Sequence, residues 1–318
     1  MNHISHSTIS AFSSCQKKAE FKFAGTPTKT PESMFLGSAI HYGMKTACDE
    51  LVGNADHDKT VDIDKALGEV EHFVLTLGNI DKYDPGQPDK QIDDYELERT
   101  LDEITKHAQD VVATVLRSGQ FNLLKDYFVF LEVENRFDTI IPVTLPSERN
   151  PEETDEEYYE RTTREIRATG KADLLIRDTK SKSIYVIDWK TTKGYLPKQI
   201  PIATKLQLCN YGLYYKSLEQ FQDYDVYLSP FYIRTKADNN GCYSCGSLEF
   251  KLTEDMEEVV IPMIINSYFQ LEQIEQGQPA FPSGLFSNFG KGDCDWCEFK
   301  DQCKDYQIMK GESNNDQT

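Results

Sequence analysis

Long apolar runs are missing from this 318-residue chain: nothing in it approaches the ~20 consecutive apolar residues of a membrane-spanning helix. The opening residues Met1 to His6 are polar and lack the apolar centre of a secretion signal. Both absences point to a cytoplasmic location, where disulfides are rare. The eight cysteines are therefore expected to be metal or cluster ligands or plain thiols. A surplus of positive charge is missing too. Against 53 Asp and Glu stand 34 Lys and Arg, a net of −19, which at first sight excludes a partner held by phosphate neutralisation.

The distribution of charge reverses that last exclusion. Residues 49–110 hold 18 acids and 6 bases, a net of −12, whereas residues 161–205 hold 11 bases and 4 acids, a net of +7. Residues 1–48 carry 5 bases and 2 acids, a net of +3. The local field matters more than the sum. With 39 % hydrophobic and 27 % charged residues the composition is that of an ordinary globular protein, long enough to bury a sizeable core.

Residues 5–23 read as one capped helix starting at Ser5 or Ser7, with Ile9, Phe12 and Ala19 inward and Cys15 within it. A second helix is expected over Met34–Leu51. There the small residues Gly37, Ser38 and Ala39 allow another backbone to approach, and His41 shares a face with Gly37. Residues 52–126 are acidic and helix-spaced over Val61–Leu77 and Lys90–Leu116, separated by the turn-rich 81–88; we read them as an inserted lobe without chemistry. From Tyr127 the period becomes two, with strands expected over Tyr127–Asp138 and Thr139–Thr144, and no role for Glu134. An acidic exposed loop, Pro146–Arg161, follows.

Two apolar strands, Glu165–Arg177 and Ser183–Lys190, then each carry an unexpected acid. A carboxylate in a core strand is costly to bury without a partner. Asp188 and Lys190 share one face, Trp189 the other; if the turn is the four residues 179–182, Asp173 lies directly across from Asp188, whereas a five-residue turn would need a bulge to keep the two acids on one face. Two facing carboxylates repel unless a cation lies between them, and hard oxygen ligands suit Mg²⁺ or Mn²⁺. Such an ion activates water and neutralises phosphodiester charge, and a neighbouring lysine assists. The pattern D…DxK alone is common, and exposed strand-end acids with a salt-bridging lysine would also produce it. The next helix, over residues 203–216, adds Gln207 and Tyr211 at i and i+4.

This arrangement resembles the RecB-like branch of the PD-(D/E)XK nucleases. The resemblance implies an α/β fold: a restriction-endonuclease-like core with a mixed central sheet flanked by helices. It implies metal binding by Asp173, Asp188 and the Trp189 carbonyl, with His41, in its Gly-x-x-x-His setting, as an additional ligand. Lys190 would be the catalytic lysine, and Gln207 and Tyr211 would complete the site.

Beyond it, strands are expected over Asp223–Thr235 and Ser247–Leu252, with loop thiols Cys242 and Cys245 between them, and a helix over Glu254–Gln276. Cys48 and Cys209 read as core residues. After the loop 279–292, Cys294, Cys297 and Cys303 form Cys-x₂-Cys-x₅-Cys, one thiol short of the four that zinc or an iron–sulfur cluster prefers. Cys15 is the natural fourth. One upstream thiol with this downstream triplet resembles the iron–sulfur nucleases of the AddB and CRISPR-adaptation exonuclease types. There a 4Fe–4S cluster clamps the N-terminal helix to the C-terminal tail; zinc on the same thiols is the alternative. The expectation is one nuclease domain over residues 1–306, with 49–126 inserted and a disordered tail at 307–318. Its function would be that of a metal-dependent DNA exonuclease acting on single-stranded or free ends in repair or recombination, its acidic lobe open to a protein partner. The opposed expectation is a catalytically silent assembly subunit of a recombination or CRISPR-adaptation complex.

Overall fold

A computed structural model describes residues 3–26, 30–53, 60–79, 95–144, 150, 152–178, 180–280, 294, 297, 299–305 and 307. The expected turn at 81–88, all but the start of the loop at 279–292 and the tail from 308 onward lie outside these residues. In chain order the elements are β1 (Ile4–Ser5), α1 (His6–Ser14), α2 (Gln16–Phe23), β2 (Thr30–Pro31), α3 (Glu32–Asp49), α4 (Ile63–Asn79), β3 (Tyr95–Glu96), α5 (Leu101–Leu116), α6 (Gly119–Tyr127) and β4 (Phe128–Thr144). They continue with α7 (Asp155–Thr162), β5 (Thr163–Asp178), β6 (Ser183–Thr192), α8 (Ile202–Ser217), β7 (Asp225–Arg234), β8 (Cys245–Ser247), β9 (Phe250–Lys251) and α9 (Glu254–Glu275). The fold is α/β, a mixed sheet flanked by helices.

The chain divides into two compact units. One comprises Met1–Thr28, Phe137–Gly170 and Glu254–Thr318; the other comprises Lys29–Arg136 and Lys171–Thr253. In the second unit, β6 pairs antiparallel with β5 and parallel with β7 along all ten residues, Ser183↔Asp225 to Thr192↔Arg234. A parallel pair needs a crossover, and α8 supplies it. Strands β6 and β7 are nearly continuous apolar runs, as strands covered on both faces must be. Leu174, Ile187, Trp189, Phe231 and Ile233 join Phe35, Ile40 and Met44 of α3, Val70 of α4 and Val112 of α5 in one core. A Cβ on Gly43 would stand 2.5 Å from Val70 Cγ2 and 3.1 Å from Val112 Cγ2, so its hydrogen lets α4 and α5 close on α3.

The first unit packs α1 and α2 against α9 and pairs β1 in parallel with the early part of β5, Ile4↔Ala168 and Ser5↔Thr169. Gln16 Nε2 donates to Gln270 Oε1 at 3.2 Å, and Arg164 pairs with Glu272 at 2.7 Å. The ring of Phe21 stacks on Phe299 at 5.3 Å between centroids.

Several expectations are corrected. The single helix over 5–23 is two, because Cys15 is extended (φ −164°, ψ 122°). Just before it, Ser14 Oγ donates back to Ala11 O at 2.9 Å, the kind of local bond that competes with helix propagation. The expected start Ser5 does cap α1, accepting the Thr8 N–H at 3.2 Å. The two strands over 127–144 are one. The acidic stretch read as a loop contains α7, opened by a Thr154–Glu157 capping box. Of the helix expected over Lys90–Leu116, residues 90–94 lie outside the described residues, and α5 begins at Leu101 behind a second such box, Thr100–Glu103. Among the described residues, no helix is long and apolar enough to cross a membrane.

Candidate active site

The two acids of the central hairpin are buried, Asp173 to 8 % and Asp188 to 3 % exposure. Strand β5 ends at Asp178 and β6 begins at Ser183, leaving the four-residue turn that puts both acids on one face. The paired ladder runs to Leu174↔Ile187, one step short of the acids. At that step the Asp173 side chain takes over, its Oδ2 accepting the Trp189 N–H at 2.7 Å.

Helix α8 closes the other side. Lys190 Nζ donates to Gln207 Oε1 at 2.8 Å, and Gln207 Nε2 donates to Asp188 Oδ1 at 3.2 Å and to Tyr211 Oη at 2.6 Å. The amide of Gln207 therefore reads the cation on one end and the anion on the other, which fixes its orientation. Gln207 and Tyr211 can both do this because the i, i+4 spacing stacks them on one helix face. Lys190 Nζ also lies 2.6 Å from Asp188 Oδ2, so this buried oxygen has the ammonium as its charge partner.

His41 arrives from α3, with Nδ1 3.7 Å from Asp173 Oδ2. Its approach depends on Gly37 one turn earlier, where a Cβ would stand 3.0 Å from Thr191 Oγ1 of β6. Of the residues expected in the site, His41, Asp173, Asp188, Lys190, Gln207 and Tyr211 come together.

Electrostatics follow from burial and proximity. Burial alone raises the Asp188 carboxyl, and the field of Asp173 adds to this; together they outweigh Lys190 and push it up to about 6. Burial acts on Asp173 in the same direction. There, however, the charge and contact of His41, the Trp189 N–H and the charge of Lys190 prevail, and its carboxyl is held below the usual range. His41 is raised: burial would lower it, but the Asp173 and Asp188 carboxylates overcome that. Burial, with the field of Asp188, raises the Tyr211 hydroxyl, which stays a neutral donor and acceptor.

The donor set suits a hard divalent cation. Two buried carboxylates share one face, in a place where their mutual repulsion needs compensation. Among the described residues, no group of three or more His, Cys, Asp or Glu side chains already stands at metal-holding spacing. That statement covers Cys15, Cys294, Cys297 and Cys303, which the structure does not gather into a ready cluster site. All four belong to the first unit and are half-buried. Cys245, read as a loop thiol, lies in β8, its Sγ 3.5 Å from Ser118 Oγ, whereas Cys242 is exposed.

An open cleft of about 1260 Å³ adjoins Asp173, His41 and Lys190. Two of its features escape sequence reasoning. Glu134 has φ +50° within β4 and pairs with Lys171 at 2.8 Å at the cleft wall. A left-handed non-glycine residue costs roughly 1–2 kcal/mol, and nothing in the local sequence announces it. The helical lobe also contributes, since Phe73 of α4 lines the cleft. Helical periodicity marks Phe73 only as apolar.

Comparison with known proteins matches residues 3–304 to the model of the PD-(D/E)XK nuclease superfamily. Among solved structures the chain is similar to a protein from Eubacterium rectale named "Putative exonuclease", at 10 % identity and a TM-score of 0.48, covering 91 % of this chain and 90 % of that one. A search of the curated proteins found no match. A family match over nearly the whole chain joins the D…DxK hairpin, the Gln–Tyr helix and the mixed sheet in one assignment: the chain belongs to the PD-(D/E)XK nuclease superfamily.

Proposed function

We propose that this protein is a Mg²⁺- or Mn²⁺-dependent deoxyribonuclease of the RecB-like branch, an exonuclease acting on single-stranded ends. One observation carries the reading: Gln207, held by Tyr211, ties Lys190 to Asp188, and Asp173 is fixed beside them by the Trp189 N–H, next to an open cleft of about 1260 Å³. Asp173 and Asp188 would hold the cation, with His41 and the Trp189 carbonyl as further ligands. When bound, the cation supplies an activated water and neutralises charge on the scissile phosphate. Lys190, aimed by Gln207 Oε1, presents its ammonium to the phosphate oxygens as charge develops on them. Tyr211 holds Gln207 in the one orientation that serves both Lys190 and Asp188.

The 4Fe–4S cluster on Cys15, Cys294, Cys297 and Cys303 belongs to the same reading. It is supported by the thiol donor set and by the Phe21–Phe299 stack, which joins the helix following Cys15 to the segment carrying Cys303. Anoxically purified protein should then be brown and contain about four irons per chain; a colourless protein with one zinc would remove the cluster. The nuclease is tested with end-labelled single-stranded DNA and Mg²⁺ or Mn²⁺. Asp173→Ala and Lys190→Ala should each lose at least about 10²-fold in rate. If the wild type cuts no DNA, or the variants cut equally well, the catalytic reading fails.

A further inference from the structure

The cleft beside Asp173 has two chemically different linings. Lys45, Arg136, Lys171, Lys190 and Lys193 line it with the carboxylates of Glu134 and Asp173; Lys45 pairs with Asp49, Lys171 with Glu134 and Lys190 with Asp188, and Arg136 and Lys193 add two further positive charges. The same cleft is lined by Tyr42 of α3 and Phe73 of α4, together with buried Trp189 of β6. The Tyr42 and Phe73 centroids are 5.0 Å apart with 29° between planes, and Phe73 stacks in turn on buried Phe35 at 6.2 Å. Met34, 59 % exposed, extends the apolar lining. Tyr42 is the residue after His41, so the ring stack begins next to the carboxylate cluster.

Side chains serving only to seal α3 against α4 would be buried, as Phe35, Val70 and Val74 are. Tyr42 and Phe73 are half-buried and line the cleft instead. An aromatic surface in a cationic cleft suits a ligand that is anionic along its backbone and flat in its side groups. A nucleotide chain is both. In a duplex both faces of an interior base are already stacked, so only an unpaired base can use such rings.

Building on the nuclease reading, we propose that Tyr42, backed by Phe73, forms a base-stacking subsite. It receives an unpaired nucleobase next to the phosphate being cut and so selects single-stranded ends. The cations hold the phosphates whatever the base; the rings detect whether a base is free to stack.

The test separates base from backbone. Binding of a fluorescent oligodeoxynucleotide and of an abasic oligomer with the same phosphates is measured by anisotropy in EDTA, where nothing is cut. The wild type should prefer the base-bearing strand by about 5- to 100-fold. Tyr42→Leu and Phe73→Leu keep apolar bulk and should erase most of that preference, with abasic affinity within about twofold of wild type. No preference in the wild type, or equal loss on both ligands, overturns the subsite. If Phe73→Leu fails to fold, Tyr42→Leu decides alone. The two readings fail separately: a protein that prefers bases but never cuts DNA with Mg²⁺ or Mn²⁺ keeps the subsite and loses the nuclease, whereas one that cuts without base preference does the reverse.

Discussion

Gly37→Ala inserts one methyl group between α3 and β6, and its consequences can be worked from the structure. The new Cβ would lie 3.0 Å from Thr191 Oγ1, against an ordinary contact of 3.4 Å or more, so something must yield by about 0.4 Å. Thr191 is β-branched and stiff at χ1, and its strand is paired along its whole length with β7. The displacement therefore passes into α3. His41 sits one turn away on the same face, with Nδ1 3.7 Å from Asp173. In stability the change is modest: alanine gains about 1 kcal/mol of helix propensity, overpacking costs about 1–3 kcal/mol, and the net loss is about 0–2 kcal/mol. Activity responds more steeply. A misplacement of about 1 Å can cost about 10²-fold, so about 0.4 Å should lower kcat/KM by about 3- to 10-fold. Degradation of end-labelled single-stranded DNA measures this, with circular dichroism melting as the folding control. Removing the obstacle in Gly37→Ala/Thr191→Ala should restore activity to within about twofold of Thr191→Ala alone. A Gly37→Ala protein as active as wild type, or a double variant no better than the single, refutes the reasoning.

Three further outcomes are expected. Because the folded state raises the Asp188 carboxyl, the metal-free protein binds that proton more tightly than the unfolded chain does. This site's contribution to stability is thus full below the ordinary carboxylate range and is lost as pH rises through about 6. A divalent cation displaces the proton, so Mn²⁺ should raise Tm more at pH 8 than at pH 5, and Asp188→Asn should abolish the shift; equal shifts at both pH values would contradict the site. Glu32, at the start of α3, accepts the Glu98 and Arg99 N–H groups at 2.9 Å and pairs with the Arg99 guanidinium at 2.7 Å. Burial would raise its carboxyl, but these contacts prevail and lower it, so its stabilisation is present above the usual carboxylate range and disappears as pH falls through the lowered value. Glu32→Gln should cost about 1–3 kcal/mol in urea unfolding at pH 7, and a loss below about 0.5 kcal/mol would count against the network. Gly43→Ala forces a contact of 2.5 Å on Val70 and should destabilise by about 1–3 kcal/mol, partly recovered by Val70→Ala; a neutral Gly43→Ala would mean that α3 and α4 can separate freely.

The legible parts of this molecule were those written at short range. Alternation put Asp188 and Lys190 on one strand face, and the i, i+4 rule put Gln207 and Tyr211 together; that Asp173 stands opposite Asp188 depended on the turn length, which the strand ends at Asp178 and Ser183 set. The break at Cys15 and the helix at Asp155 were missed because each depends on capping bonds that a hydrophobic period does not register. Glu134 was missed for a different reason. Its left-handed backbone is disfavoured for its own side chain, and it lies in a strand whose surroundings, including the Lys171 ion pair, come from elsewhere in the chain.

By itself, then, the sequence determined the D…DxK hairpin and the helix that completes it, because periodicity and chain connectivity are local properties. Only the tertiary structure decided that α3 delivers His41 to Asp173 through the space Gly37 leaves open, and that Phe73 of the acidic lobe reaches the same cleft. Those contacts join residues from about 30 to more than 130 positions apart. Packing of whole helices on the sheet sets them, and no local pattern records how two helices meet.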